Sequence, residues 1–217
     1  MPQNLNPCGA QQEASPLGVA AAPLSTMLRT RTACLHKQIE VQLGLPFAIQ
    51  TLDDYRVWLS RFLGLYGPLE QALAGFTEWH DHGLTLPNHS FRLGADLGAI
   101  GVDPAGVLQA PPALVPRLTS FAQALGAVYV LEGSALGGRV ILRDINARVG
   151  TEITGATRFF GGGAATDQTW QSFKTALDGF GHAFPGLRSD VISGAEGVFR
   201  AISAWFVPLH VKTACRS

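Results

Sequence analysis

Cysteine is scarce in this chain of 217 residues, which contains three. Cys8, Cys34 and Cys215 are odd in number and lack C-x-x-C spacing, so the sequence predicts neither a disulfide framework nor a structural zinc site. A reducing, cytoplasmic setting is the simplest expectation.

Charge is also sparse, and it is balanced. Only 15% of the residues are charged, and 16 basic residues match 16 acidic ones. No net field attracts nucleic acid or an anionic membrane, so neither is expected as a partner. The sequence also lacks a run of about 18 uninterrupted apolar residues, which argues against a membrane span. The opening residues lack a basic n-region, and Gly18 and Pro23 interrupt their small-residue run, so they do not resemble a signal peptide.

Apolar residues make up 47% of the chain, enough for a sizeable core in one globular domain. Residues 1–22 are rich in Pro, Gly, Gln, Asn and Ala and show no periodicity, which predicts a flexible tail. We therefore expect one folded domain over residues 23–212.

No segment shows the alternation of a β-strand flanked by hairpin turns, whereas apolar residues recur at helical spacing along most of the domain. The sequence therefore predicts an all-α fold. The first expected helix carries apolar residues from Leu24 to Leu43, with Ser25 as a candidate N-cap and Pro46 as terminator. The others are about Asp53–Phe76 capped by Asp53 or Asp54, a short helix ending at Gly101, a long interrupted helix over 118–149, about Asp167–Phe180, and about Ser189–Val207.

The long helix is rich in glycine, with Gly126, Gly133, Gly137 and Gly138 in its interior. Each interior glycine costs about 1 kcal/mol relative to alanine. Three explanations stay open: close packing of a neighbouring helix on small residues, a plain kink, or a face cleared so that backbone approaches something large and flat. Ser134 could bend the helix by bonding a carbonyl one turn earlier, or offer its hydroxyl to a bound water.

His36 falls on the apolar side of the first helix, where an unpaired imidazole would be costly. One explanation is a core histidine bonded to a carbonyl or carboxylate. The other is a metal or haem ligand whose ring is oriented by Glu40 one turn later, while the second nitrogen binds iron.

Two segments carry a family resemblance. LGAVYVLEGSALGGRVI resembles the distal-helix signature of bacterial, biliverdin-producing heme oxygenases, and LRTRTACLH resembles their proximal-histidine helix. Weaker similarity continues through SFRLGADLGAIG, FFGGGAATDQTWQSFKTAL and FRAISAWF, so the resemblance covers roughly residues 24–210. It implies a single helical domain with haem between the first helix and a kinked distal helix.

By position, the resemblance implies that His36 is the proximal iron ligand and that Gly133, Gly137 and Gly138 contact the distal face of haem. Ser134 stands where mammalian-type members carry an aspartate, and serine there is the bacterial pattern. The absence of that aspartate argues against a water network organised by a carboxylate. We expect the Ser134 hydroxyl to hold a water molecule instead.

The resemblance also implies that Arg29 and Lys174 pair with the haem propionates, although either could instead be a solvated surface charge. Arg139 and Asp144 are expected to form surface or structural pairs.

The implied reaction is oxidative opening of b-type haem, which is both cofactor and substrate, to biliverdin, CO and free iron. It needs O₂ and electrons from a reductase or a ferredoxin. Two alternatives remain: a haem storage or carrier protein without turnover, and a thiamine-degrading or cofactor-synthesis protein of the same helical architecture. His80, His82 and His89 are expected in an exposed loop without a metal.

Overall fold

The structure is a computed structural model that describes residues 22–162 and 166–214. The described residues are helical, and no strand occurs among them, which confirms the all-α prediction. Almost all of the predicted tail, residues 1–21, lies outside the described residues.

Seven α-helices occur in the described part of the chain, joined by loops, turns and 3-10 segments, the longest connection being residues 100–120. In chain order they are α1 Leu24–Leu43, α2 Leu52–Leu73, α3 His89–Ala99, α4 Phe121–Val149, α5 Arg158–Gly161, α6 Thr166–Ala183 and α7 Arg188–Ala214. Six of them were predicted from the sequence. The four-residue α5 is too short to show a periodic pattern.

The ends of α1 differ from the prediction. Pro23 is the N-cap residue, and Ser25 lies inside the first turn. The carboxylate of Asp178 on α6 accepts hydrogen bonds from Ser25 N at 2.7 Å and Ser25 Oγ at 2.9 Å, so a tertiary contact replaces the predicted cap. The helix ends at Gly44, whose φ of 62° is the left-handed conformation that glycine tolerates, before Pro46 is reached.

The N-cap of α2 is Thr51 rather than Asp53 or Asp54. The Thr51 hydroxyl accepts from Asp54 N at 3.1 Å, and the Asp54 carboxylate accepts from Thr51 N at 3.0 Å. These reciprocal bonds form a capping box, so Asp54 supports the cap from the first turn.

Helix α4 is continuous from Phe121 to Val149, so the predicted interruption is wrong. Its backbone hydrogen bonding carries through the glycines. The helical stretch Phe121–Ile153 is long and apolar enough to cross a membrane by length and composition. The sequence had predicted no membrane span, because it lacks a run of about 18 uninterrupted apolar residues. Here α4 serves as a central helix that packs against α5, α6 and α7.

Helices α4 and α7 cross closely on two glycines. A Cβ on Gly126 would lie 1.8 Å from the carbonyl oxygen of Val191, and one on Gly194 would lie 2.0 Å from that of Gln123. Both α6 and α7 contact α1 as well as α4, whereas α1 and α4 scarcely touch each other. The two helices that carry the predicted haem residues are therefore held apart by α6 and α7.

Candidate functional site

His36 lies on α1 with its side chain 62% exposed. The prediction that its ring packs among apolar neighbours is wrong: Leu24, Leu28, Thr32 and Leu43 are buried, but His36, one turn after Thr32, is exposed. The imidazole stands at the edge of the face that these buried residues form, with its ring 6.1 Å from the ring of Phe199 on α7 in a T-shaped contact. Burial therefore does not require a protein partner for the ring.

The two nitrogens of His36 have different surroundings. Nδ1 lies 3.5 Å from Glu40 Oε1, as the spacing of one helical turn predicted. Within the described ranges no hydrogen bond or ion pair reaches Nε2, so an imidazole whose Nδ1–H points to Glu40 leaves Nε2 able to bind a metal.

Two cations flank an aromatic pair beside α4. Tyr129 on α4 and Trp170 on α6 have ring centroids 5.4 Å apart, and Lys174 Nζ lies 5.9 Å from the Trp170 ring. Burial raises the pKa of Tyr129, and the positive charge of Arg29 on α1 acts in the opposite direction. Tyr129, Trp170 and Lys174 therefore lie together between α4 and α6, and the charge of Arg29 on α1 is near enough to act on Tyr129.

The four glycines of α4 divide into two kinds. A Cβ on Gly126 or Gly138 would strike backbone, at Val191 or at the carbonyl oxygen of Phe160, which lies 2.6 Å from the Gly138 position. Close packing against neighbouring backbone therefore explains why these two positions are glycine. A Cβ on Gly133 would make ordinary contact with Trp170 at 3.6 Å, and one on Gly137 would meet nothing within 4 Å.

Gly133 and Gly137 belong to one face of α4. Tyr129, Gly133, Gly137 and Val140 follow one another at spacings of four, four and three residues, which places them along one side of the helix. Val140 is 59% exposed. This face combines an aromatic ring, bare backbone and an exposed aliphatic side chain.

Ser134 is tied to a tyrosine that sequence reasoning missed. Its hydroxyl donates to Leu131 O at 2.7 Å, and the Tyr66 hydroxyl lies 2.8 Å from Ser134 Oγ. Because a serine has one hydroxyl proton, Tyr66 must be the donor in the second bond. Burial raises the pKa of Tyr66 to about 12, so the phenol keeps its proton at neutral pH and can donate to Ser134.

The histidine loop departs from expectation at one residue. His89 is not in an exposed loop but is the first residue of α3, with 2% of its side chain exposed. His82 stacks on Phe121 with ring centroids 5.0 Å apart. Among the described residues, no group of three or more His, Cys, Asp or Glu could hold a metal ion.

A shallow cavity of about 290 Å³ lies between α1 and α7, on the side of α1 away from His36. None of the predicted site residues lines it. Its wall consists of Met27, Arg31, Ser189, Ile192, Ser193 and Glu196. Its serine hydroxyls and opposite charges match poorly with the flat apolar haem that the family resemblance implies.

Comparison with known proteins finds neither a family model that matches the chain nor a curated protein with significant similarity.

Proposed function

We propose that this protein is a cytoplasmic heme oxygenase of the bacterial, biliverdin-producing kind. The observation that carries the proposal is the relation between two helices held apart by α6 and α7. Helix α1 offers the accessible imidazole of His36, and α4 offers a face bare of side chains at Gly133 and Gly137.

The residues of this region fit haem chemically. A neutral imidazole with one nitrogen unoccupied suits haem iron. A flat apolar ring suits the α4 face of Tyr129, Gly133 and Gly137, where backbone can approach without a Cβ in the way. Arg29 and Lys174 supply charge for two propionates at the rim.

When bound, haem supplies both the redox-active iron and the porphyrin ring that is opened with O₂ and electrons from a reductase or ferredoxin. The chain's own residues orient and confine it. Glu40 holds the ring of His36, and a neutral imidazole donates less electron density to iron than a thiolate would. Ser134 donates to Leu131 and accepts from Tyr66, so the second lone pair of its oxygen is left to accept a hydrogen bond from a water on the distal side.

The alternative is a haem storage or carrier protein. A carrier gains from a second protein ligand that closes the sixth iron position. The α4 face supplies no ligating side chain at Gly133 or Gly137, and the open space beside Gly137 favours catalysis over storage.

Turnover with haemin tests the proposal. The purified protein is mixed with haemin and a reductant in air, the loss of the Soret band is followed, and the pigment is identified. Biliverdin and CO formed in stoichiometric amounts support the enzyme. A stable haem complex that yields no bilin supports the carrier, and failure to bind haemin rejects both.

A further inference from the structure

His89 is a buried polar side chain with no role in the proposed reaction. Its side chain is 2% exposed, and neither of its ring nitrogens has a hydrogen-bond partner. Nε2 lies 3.4 Å from Oε1 of Glu132 on α4, within ion-pair range. Glu132 is itself only 15% exposed, so each group lies where water can do little to satisfy it.

The surroundings of this pair are acidic. The Glu70 carboxylate on α2 accepts from His89 N at 2.6 Å and from Ser90 N at 3.2 Å, and it also accepts from the Ser90 hydroxyl. Within residues 22–162 and 166–214, no lysine or arginine is found paired with Glu70 or Glu132. The 3.4 Å approach of Nε2 to Glu132 is therefore the one polar side-chain contact that the His89 ring makes among the described residues.

The His89–Glu132 pair and the Tyr66–Ser134 contact reach α4 from opposite sides of the turn that contains Gly133. Glu132 and Ser134 are two residues apart, about 200° around the helix, so they project on either side of Gly133. His89 holds the Glu132 side, and Tyr66 holds the Ser134 side. The rings of Tyr66 and His89 meet edge to face with centroids 5.7 Å apart, so both contacts start from one junction of α2 and α3.

We propose that His89 and Glu132 form a buried positioning pair that, together with the Tyr66–Ser134 contact, sets how the Gly133 turn is presented to the tetrapyrrole. That a tetrapyrrole faces this turn rests on the proposed function. The pair and its hold on α4 are properties of the ligand-free protein.

The first test uses the ligand-free protein and Trp170, which contacts the Gly133 position at 3.6 Å. The protein is labelled with 5-fluorotryptophan, and the ¹⁹F signal of Trp170 is identified by its loss in Trp170→Phe. We expect His89→Leu and Glu132→Gln to shift or broaden this signal. His89→Gln, whose amide can still donate to Glu132, should return it towards the wild-type position.

His82→Gln is the matched control, because His82 stacks on Phe121, outside the α4 turn. It should leave the Trp170 signal unchanged. Glu132→Gln keeps the test usable if His89→Leu fails to fold. A Trp170 signal that stays at its wild-type position in Glu132→Gln and in any folded His89→Leu protein would overturn the proposal.

The second test uses the haem complex and separates positioning from simple support of the fold. Neither residue belongs to the proposed binding face, so haemin affinity should change little in Glu132→Gln. We expect kcat to fall about tenfold and the ratio of biliverdin isomers to change, because misplacing a reacting group by about 1 Å can cost up to about 100-fold in rate.

An isomer ratio and kcat equal to wild type, despite a shifted Trp170 signal, would make the pair structural only and overturn its positioning role. A wild-type protein that forms no bilin, while the Trp170 signal still responds as expected, would reject the proposed function but leave the hold on α4 supported. The two failures are therefore distinguishable.

Discussion

A methyl group added to Gly138 would lie 2.6 Å from the carbonyl oxygen of Phe160, closer than real side-chain contacts come. One position earlier, a methyl group on Gly137 would meet no atom within 4 Å. The two adjacent glycines thus lack side chains for different reasons: α5 fills the space beside Gly138, and the space beside Gly137 is open.

Gly137→Leu should separate stability from activity. Removing an interior glycine without a clash should raise the free energy of unfolding of the ligand-free protein by up to about 1 kcal/mol. The new side chain should occupy the space proposed for haem's distal face, so haem still binds through His36 but little biliverdin forms. Urea unfolding, haemin titration and bilin yield check this. Loss of folding, with normal turnover by the remaining folded protein, would contradict it.

Gly138→Ala is the matched comparison. Its methyl group would press on α5 backbone, and relieving that overlap should cost about 1–3 kcal/mol of unfolding free energy. Urea unfolding of both variants under one condition decides the point. Equal effects at positions 137 and 138 would show that the contact with Phe160 does not determine this glycine.

His36→Ala tests the iron ligand. Because the side chain is 62% exposed, the free energy of unfolding should change by no more than about 0.5 kcal/mol. The haem complex should lose its imidazole-type spectrum and normal turnover, and added imidazole should restore the spectrum. His182→Ala, at an exposed histidine of α6, is the control. A His36→Ala complex that keeps the native spectrum without added imidazole would exclude His36 as ligand.

Charge reversal tests the rim. Arg29→Glu with Lys174→Glu should weaken haemin binding or change the mixture of bilin isomers, since two propionates would face like charge. Arg31→Glu is the control, because Arg31 is two residues from Arg29 and projects from the opposite side of α1. If the double variant binds haemin and distributes isomers as wild type does, both residues are solvated surface charges.

Ser134→Ala should leave the buried Tyr66 hydroxyl without a partner, at a cost of about 1–3 kcal/mol in unfolding free energy. Adding Tyr66→Phe removes the orphaned group and should recover part of that loss. Bilin formation should stay impaired in the double variant if Ser134 orders a distal water. Recovery of both stability and full activity would confine Ser134 to a structural role.

Asp96→Asn should loosen α5, because the Asp96 carboxylate accepts hydrogen bonds from two backbone N–H groups of that helix. Its Oδ1 accepts from Arg158 N at 2.9 Å and its Oδ2 from Phe159 N at 2.8 Å, and asparagine can accept only one of these bonds. We expect a loss of about 1–3 kcal/mol. Burial raises the pKa of Asp96, outweighing the backbone bonds that lower it, so the stability linked to its proton falls as pH rises through the folded-state pKa. The gap between wild type and variant should therefore widen in acid, as unfolding at neutral and acid pH would show.

The glycine segment illustrates how far local pattern reaches. Spacing placed Gly126, Gly133, Gly137 and Gly138 on one helix, and α4 contains all four. Spacing did not separate those that pack from those that stay open, because the separation depends on the backbones of α5 and α7. Tyr66 and Trp170 were likewise missed, since each reaches α4 from a distant part of the sequence.

The sequence by itself determined the all-α class and the approximate extents of six helices, because the period of apolar residues along a chain is a local property. It also placed Glu40 one turn from His36, since helix geometry sets that spacing. Only the tertiary structure decided that His36 is exposed and that His89 is buried against Glu132. It also decided that Ser25 donates hydrogen bonds to Asp178 instead of capping α1. These outcomes depend on which helices pack together, and a helix's own pattern shows which face is apolar but not which neighbour covers it.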